Sequence, residues 1–447
     1  MNILVLNGSP KGDYSITLQT VHYLAKTDSS NHFTILNVGQ RISALEKDFA
    51  PAIEALSMAD VLLFSYPVYT FVAPYQLHRF IELLKEHKVP VRDKIATQIT
   101  TSKHFYDVTA HRYIQDNCQE MGMKFIRGLS ADMEDLLTKK GRDEASAFWK
   151  HACWCMEHNY FEPCYTPTYI PVCKSVSTDV SASAPAGGDV VIVTDTTSEN
   201  TQLSNMITRF QSRLPFKSRI VNIREYPLRG GCLGCFNCAT DGVCIYKDGF
   251  DSFLRDEIQS AQAIIYAFSI KDHSMGSRFK MYDDRQFCNG HRTVTMGTPV
   301  GYLISGNLSQ EENLRTIIEA RAQVGGNSLS GIATDEFDPD GEIDRLADSL
   351  TYDLKNGYCQ PQNFYGIGGM KIFRDLIYQM QGMMKADHRF FKSHGQYDFP
   401  QKKKGTILKM YLVGALISSP KIKSKMGNAM NEGMLAPYRK VLDDLPD

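Results

Sequence analysis

Residues 3–17 read ILVLNGSPKGDYSIT, so a short apolar run leads directly into a loop of small and hydroxylated residues. The run is typical of a buried strand, and the residues from Ile16 onward have the apolar spacing of a helix. Small residues at a strand-to-helix turn expose backbone N–H groups, and a helix N-terminus favours an anion. The loop has the glycine spacing of neither a nucleotide-hydrolysing loop nor a dinucleotide fold. It therefore predicts a site for a phosphate monoester, with an ordinary capped turn as the alternative.

Apolar runs and helical stretches alternate through two successive parts of the chain. The runs fall at residues 3–6, 33–38, 61–66, 95–100 and 125–129, and again at 190–194, 219–224, 263–268, 300–305 and 329–334. Such alternation predicts a parallel sheet with helices on both faces. Five strands in each part fit the flavodoxin-like order 2-1-3-4-5. We therefore predict an α/β fold with two tandem, doubly wound parallel sheets.

Changes in composition predict the domain boundaries. Residues 166–188 are rich in Pro, Ser, Thr, Ala and Gly and read as a linker between a first domain, 1–165, and a second, 189–356. Long helical stretches follow, which predicts a C-terminal helical extension over residues 357–447. Its most apolar segment, residues 410–417, is expected to be a buried helix, and the neighbouring lysines keep an interfacial anchor as the alternative.

The charge balance excludes some classes of protein. Lys and Arg number 49 and Asp and Glu 50, so the formal net charge is −1, and binding to nucleic acid through long-range charge is not expected. The N-terminus has no basic stretch followed by a long apolar core, and no segment approaches the ~20 apolar residues that span a bilayer. We expect a folded cytoplasmic protein without a membrane span. In that compartment the 11 cysteines are not expected to form a disulfide framework.

The loop at residues 8–17, GSPKGDYSIT, resembles the phosphate loop GSPR-x-x-S-x-T of the NADPH-dependent FMN reductase family, whose members are flavodoxin-like. The stretch SYPVY at 65–69 is similar to the family's second flavin loop with one tyrosine inserted, and TTSKH at 100–104 stands in the place of the third. The resemblance implies that FMN contacts Ser9, Lys11, Ser15, Ile16, Thr17, Pro67, Val68, Tyr69, Thr70, Phe71, Thr101, Ser102 and His104. Tyr69 and His104 could either donate protons to a substrate or pack on the flavin ring.

Four cysteines of the second half lie on one short loop. Residues 231–244 read GCLGCFNCATDGVC, which gives Cys232, Cys235, Cys238 and Cys244 the spacing C-x2-C-x2-C-x5-C. This spacing suits a [4Fe-4S] cluster better than zinc, because zinc sites usually separate two cysteine pairs by a longer loop. Zinc and unliganded or redox-active thiols remain open alternatives. The pattern is also similar to that of the iron-sulfur flavoproteins, which carry FMN and a [4Fe-4S] cluster.

The second half has a poor counterpart of the phosphate loop. Residues 194–201, TDTTSENT, lack glycine, and Asp195 and Glu199 would put carboxylates where a phosphate dianion must sit. We therefore expect one flavin in the first half and one cluster in the second. In iron-sulfur flavoproteins the cluster of one subunit can approach the flavin of another. The resemblance thus implies that a tandem chain places its cysteine loop beside Tyr69, and homo-oligomers are also expected.

The resemblance implies an NAD(P)H-dependent flavin oxidoreductase. FMN exchanges one or two electrons and a cluster exchanges one at a time, so a chain with both would connect the two kinds of carrier. The expected donor is NAD(P)H or a ferredoxin-like partner, and the expected acceptor is a small molecule such as a flavin, a quinone or an activated alkene. The alternatives are an electron carrier without a substrate and a zinc-stapled flavoprotein reductase.

Overall fold

The computed structural model describes residues 1–164, 170–179 and 187–443, with the backbone only for residues 421–431. The predicted linker, 166–188, therefore lies in part outside the described residues.

The first half forms one parallel sheet. Its strands are β1 (Asn2–Asn7), β2 (His32–Leu36), β3 (Val61–Pro67), β4 (Ile95–Ser102), β5 (Lys124–Phe125) and β6 (Leu129–Asp132). Their order is β2-β1-β3-β4-β5, and β6 also pairs with β4. The fifth strand predicted at 125–129 is thus divided in two. A Cβ atom at Gly128, between the two pieces, would collide with Gln98 of β4, so the chain crosses β4 closely there.

Helices cover both faces of this sheet. They are α1 (Ile16–Thr27), α2 (Val38–Leu45), α3 (Ala50–Met58), α4 (Tyr75–Glu86), α5 (Asp107–Glu120) and α6 (Lys139–His158). Alternate residues of a strand point to opposite faces, and accordingly Leu4 and Leu6 join one apolar core while Ile3 and Val5 join another. Burial on both faces explains why the strand reads as a continuous apolar run.

The second half repeats this architecture. Its strands are β7 (Val190–Thr194), β8 (Ser218–Asn222), β9 (Ala263–Ser269), β10 (Pro299–Ser305) and β11 (Ser328–Thr334). Its helices are α7 (Thr201–Arg213), α8 (Asn237–Asp241), α9 (Phe250–Phe253), α10 (Gly276–Arg285), α11 (Glu312–Gly325) and α12 (Pro339–Asn356). The order β8-β7-β9-β10-β11 is again 2-1-3-4-5. The predicted fold class, two tandem flavodoxin-like sheets, is confirmed.

The two halves meet through equivalent helices, α4 and α10, which exchange equivalent hydrogen bonds. The backbone N–H of Tyr75 donates to Asp284 Oδ2 at 2.8 Å, and that of Ser277 donates to Glu82 Oε1 at 2.7 Å. Glu82 stands seven residues after Tyr75, and Asp284 seven residues after Ser277. Each helix therefore caps the start of the other at the same register, which is the pattern of an approximate two-fold axis.

The C-terminal part is helical, as predicted. It contains α13 (Phe364–Gln379), α14 (Lys385–Ser393), α15 (Lys404–Ile417) and α16 (Pro420–Asp443). The described residues from Phe391 onward form a compact unit separate from the described residues before it. The expectation that residues 410–417 form a buried helix is wrong, because α15 buries no residue. A unit of this size is too small to enclose a helix that is apolar on every side. Among the described residues, no helix is long and apolar enough to cross a membrane.

Candidate functional site

The predicted phosphate loop joins β1 to α1. Ser15 is the N-cap of α1 and accepts a hydrogen bond from the Leu18 N–H at 3.4 Å. Ser9, Ser15 and Thr17 are all buried. The Thr17 hydroxyl lies 2.6 Å from the Thr101 hydroxyl at the end of β4, so the first and third predicted flavin loops are in direct contact.

The second predicted loop, after β3, is a tight turn with two residues in the left-handed region. The Tyr69 N–H donates to Val72 O at 2.8 Å, and Thr70 and Phe71 have φ values of 42° and 72°. Such conformations cost non-glycine residues energy and persist where their surroundings enforce them. The loop after β9 forms the same turn, with the Lys271 N–H donating to Ser274 O at 2.9 Å, which supports a duplication of the whole domain.

A buried ion pair from the second half holds this turn. Lys280 and Asp284 of α10 have fully buried side chains 2.5 Å apart at Nζ and Oδ1. Lys280 Nζ also donates to Tyr69 O at 2.8 Å and to the Thr70 hydroxyl at 2.6 Å, and that hydroxyl donates to Asp284. Burial raises the pKa of Asp284, and the charge of Lys280 opposes this rise. A loop of the first half is therefore fixed by charges of the second.

The cysteine loop of the second half lies against Tyr69, as the resemblance implied. Gly234, between two of the cysteines, has φ +61°, and a Cβ atom there would collide with the Tyr69 hydroxyl. Phe236 lies with its ring centroid 5.7 Å from Lys11 Nζ of the phosphate loop. Burial raises the pKa of Tyr69 well above its usual value, and the nearby Cys232 adds to the rise. Tyr69 therefore keeps its proton at neutral pH.

These loops enclose one cavity, at the carboxyl ends of the first sheet's strands. Its non-atom space is about 1430 Å³, which includes the part open to solvent. All four cysteines of the motif line it. So do Ser9, Lys11, Ser15, Ile16, Thr17, Pro67, Val68, Tyr69, Thr70, Thr101 and Ser102.

Two residues of the predicted flavin set do not line this cavity. Phe71 packs on Tyr106, with ring centroids 4.5 Å apart, and lines an adjoining cavity instead. His104 is half exposed, and its Nδ1 lies 2.8 Å from Asp107 Oδ2. Its neighbour Lys103 lines the cavity in its place.

Two further residues that line the cavity, His291 and Arg285, were not predicted as site residues because neither belongs to a recognisable sequence motif. His291 lies with Nδ1 3.0 Å from Oδ2 of Asp387, whose side chain is fully buried. Arg285 donates to both oxygens of Asp248 at 2.9 and 2.8 Å, and its Nη2 lies 3.9 Å from the Cys244 sulfur. Although burial acts in the opposite direction, these hydrogen bonds lower the pKa of Asp248 to about 2. The arginine is therefore held as a fixed positive charge beside a cysteine of the motif.

The cysteine loop offers four thiols as possible ligands of a cluster. Burial raises the pKa of Cys238 to about 11 and that of Cys232 further, so both are neutral thiols as described. Cys238 donates to Phe287 O at 2.8 Å, and no three His, Cys, Asp or Glu side chains within the described part of the chain form a metal-holding group. A fifth thiol, Cys288, also lines the cavity. The donors fit a four-thiolate group in number and chemistry, and they would have to lose protons and close together to bind it.

The equivalent site of the second half is charged. Its cavity is lined by four acidic and four basic side chains, namely Glu46, Glu82, Glu86, Asp195, Arg79, Arg224, Lys271 and Arg278. Burial raises the pKa of Asp195 to about 6, against the opposing effect of Arg224. The carboxylate predicted to repel a phosphate therefore lies inside the cavity, and the expectation of a single flavin in the first half stays a prediction.

Comparison with known proteins gives a family match within the first half. Residues 1–140 match the Flavodoxin_2 family, described as having the flavodoxin-like fold, and no curated protein matches the chain. One similar solved structure is the apo form of an NADH:FMN oxidoreductase (EMOB), at 19% identity and TM-score 0.30, covering 34% of this chain and 87% of that one. An NAD(P)H:quinone oxidoreductase from Methanothermobacter marburgensis has 12% identity, TM-score 0.29 and coverage of 37% and 99%. General stress protein 14 from Treponema denticola, in complex with FMN, has 12% identity, TM-score 0.28 and coverage of 35% and 98%. The family match and the strand order together identify residues 1–140 as a flavodoxin-like domain.

Proposed function

We propose that the protein is an FMN-dependent oxidoreductase in which the flavin of the first half works beside a [4Fe-4S] cluster held by the second. The observation that carries this proposal is that three strand-end loops and the cysteine loop form the walls of one cavity. Ligands of open α/β sheets bind at the carboxyl ends of the strands, where this cavity lies.

Two groups of residues in the first half would bind different parts of the flavin, the phosphate and the ring. The hydroxyls of Ser9, Ser15 and Thr17, together with the N-terminus of α1, would bind the phosphate. The turn at Pro67 to Thr70 would contact the ring, and its backbone is already fixed by Lys280. A site with its hydrogen-bonding groups held in place loses little entropy on binding.

The second half would supply the cluster ligands. Cys232, Cys235, Cys238 and Cys244 would hold it, and bound together the two cofactors would exchange electrons singly or in pairs with NAD(P)H or a ferredoxin-like donor and a small acceptor. Arg285 would offset the negative charge of four thiolates at Cys244. Tyr69 and His291 are two of the cavity residues that could hold a proton for a reduced substrate, and Asp387 orients His291.

The test is an anaerobic purification followed by absorption spectroscopy and quantification of iron, sulfide and flavin. We expect one FMN and about four irons and four sulfides per chain. Cys238→Ser should remove the iron and the broad absorption beyond the flavin bands, whereas Cys118→Ser, a buried thiol outside the loop, should retain both. Zinc without sulfide would instead indicate the zinc-stapled reductase.

Flavin binding is tested separately from the cluster. Changing Thr17 to Glu puts a carboxylate in the phosphate loop and should strip FMN from the purified protein. Asp195→Ala, at the equivalent loop of the second half, should leave the flavin content unchanged. Full flavin retention in Thr17→Glu would overturn the proposed flavin site. Stoichiometric cofactors without oxidation of NAD(P)H or turnover of an acceptor would favour the electron carrier.

A further inference from the structure

Helix α15 leaves its apolar side chains in solvent. Its sequence, KGTILKMYLVGALI, is apolar on all sides, and none of its residues is buried. Leu408, Tyr411, Leu412 and Leu416 are each 60–75% exposed. A contiguous apolar surface of this kind marks a site of interaction with a partner or a membrane.

The segment around this helix is strongly positive. Between Asp398 and Glu432 the sequence has seven lysines and no acidic residue, although the whole chain has a net charge of −1. Lys402, Lys403 and Lys404 lead into α15, and three more lysines, 421, 423 and 425, follow it. The first three are exposed. Lysines therefore flank the exposed apolar helix on both sides in the sequence.

The length of α15 limits how it could meet a bilayer. Fourteen residues at ~1.5 Å per residue give about 21 Å, which is shorter than the ~30 Å hydrocarbon core of a bilayer. Such a helix can lie in the interface, where its apolar side chains enter the acyl region. The aliphatic stems of flanking lysines follow them while the ammonium groups reach headgroup phosphates.

We propose that residues 399–431, the α15 segment, dock the protein on the surface of an anionic lipid bilayer. Charge complementarity favours this occupant, because each lysine near an anionic surface contributes about 1 kcal/mol to binding. A second copy of the chain would cover the same apolar surface but would bring seven lysines against seven, which is unfavourable. This inference is independent of the proposed redox function.

The test is co-sedimentation of the full-length protein with vesicles. We expect binding to vesicles of equal parts phosphatidylglycerol and phosphatidylcholine, weak binding to pure phosphatidylcholine, and loss of binding as salt rises from about 0.1 to about 1 M. The triple variant Lys402→Glu/Lys403→Glu/Lys404→Glu should bind at least about 100-fold more weakly. The control, Lys139→Glu/Lys140→Glu, reverses two exposed lysines on α6 and should bind like the wild type.

A second variant tests the apolar contribution. Leu412→Asp should also reduce binding to anionic vesicles, with the flavin content of the protein unchanged. Equal binding to neutral and anionic vesicles, or no binding to either, would overturn the proposal. So would a dimer in sedimentation velocity that Leu412→Asp dissociates, because the second copy would then be the occupant. Binding to an acidic protein in place of the vesicles would likewise overturn it.

Discussion

The ion pair between Lys280 and Asp284 should be the most sensitive point of contact between the halves. Both side chains are fully buried, and their bonds reach Tyr69, Thr70 and the start of α4 at Tyr75. Lys280→Met keeps the length of the side chain and removes its charge. The Asp284 carboxylate then remains in the interior with a backbone N–H and a hydroxyl as its only bonding partners among the described residues.

Removing one partner of a buried pair costs about 3–5 kcal/mol in unfolding free energy, since the other charge stays desolvated. Burial already raises the pKa of Asp284, so proton uptake in the variant should keep the cost near the lower end, about 3 kcal/mol. The chain offers a matched control in Lys139 and Asp143, a pair with the same helical spacing whose side chains are 83% and 62% exposed. Lys139→Met should cost less than about 1 kcal/mol.

Denaturant unfolding of the wild type, Lys280→Met, Lys139→Met and the double variant Lys280→Met/Asp284→Leu measures these differences in unfolding free energy. The flavin content of each protein reports the state of the turn at Tyr69. Lys280→Met should lose both stability and flavin. The double variant Lys280→Met/Asp284→Leu should regain most of the stability, because an apolar pair of similar volume replaces a buried ion pair at little cost. The reasoning is refuted if Lys280→Met unfolds like Lys139→Met, or if the double variant is less stable than the single one.

Two further predictions concern pH and the cysteine loop. Burial acts to lower the pKa of His273, but two carboxylates, Glu120 at 3.4 Å and the hydrogen-bonded Glu311 at 2.9 Å, raise it to about 9. The stability that His273 contributes is therefore complete below its unfolded pKa of about 6.5 and is lost as the pH rises through about 9. The difference in unfolding free energy between the wild type and His273→Asn should therefore shrink by up to about 3 kcal/mol between pH 6 and pH 10, and a constant difference would contradict this. Gly234→Ala should displace the loop from Tyr69 and alter flavin fluorescence, whereas Gly357→Ala, with the same left-handed backbone but open space around it, should change stability alone. Identical spectra for the two glycine variants would count against the described contact.

The sheets could be predicted from sequence because their determinants are local. A strand buried on both faces reads as an apolar run, and the alternation with helices leaves few topologies open. The three loops that line the cavity could be predicted for the same reason, since in parallel sheets they follow directly after the strands. The split of the fifth strand at Gly128 was missed, because it depends on how close the chain comes to Gln98 in another strand.

The residues that complete the cavity depend on distant contacts. Asp387 orients His291 from 96 residues away, and Lys280 reaches Tyr69 from 211 residues away. Neither pair has a spacing that a sequence pattern could show. The burial of residues 410–417 in α15 was wrongly expected for a related reason. An apolar helix predicts a covering surface, but its sequence does not show whether that surface belongs to the same chain, to a partner or to a membrane.

The divergence of the two halves can be followed at equivalent positions of the shared turn and helix. Where the first half has Tyr69, the second has Lys271, and where the second half has Lys280, the first has His78. Burial lowers the pKa of His78 well below its usual value, so it is neutral. Glu82 pairs instead with Lys271 of the second half's turn, at 3.1 Å, and with Arg79 of its own helix, at 2.9 Å. Both contacts thus pair an acid with a cation, but at the second turn one of the cations, Lys271, belongs to the turn itself. A lysine in the second turn occupies the position where the first turn presents the aromatic ring of Tyr69, and this difference favours the expectation that only the first half binds a flavin ring.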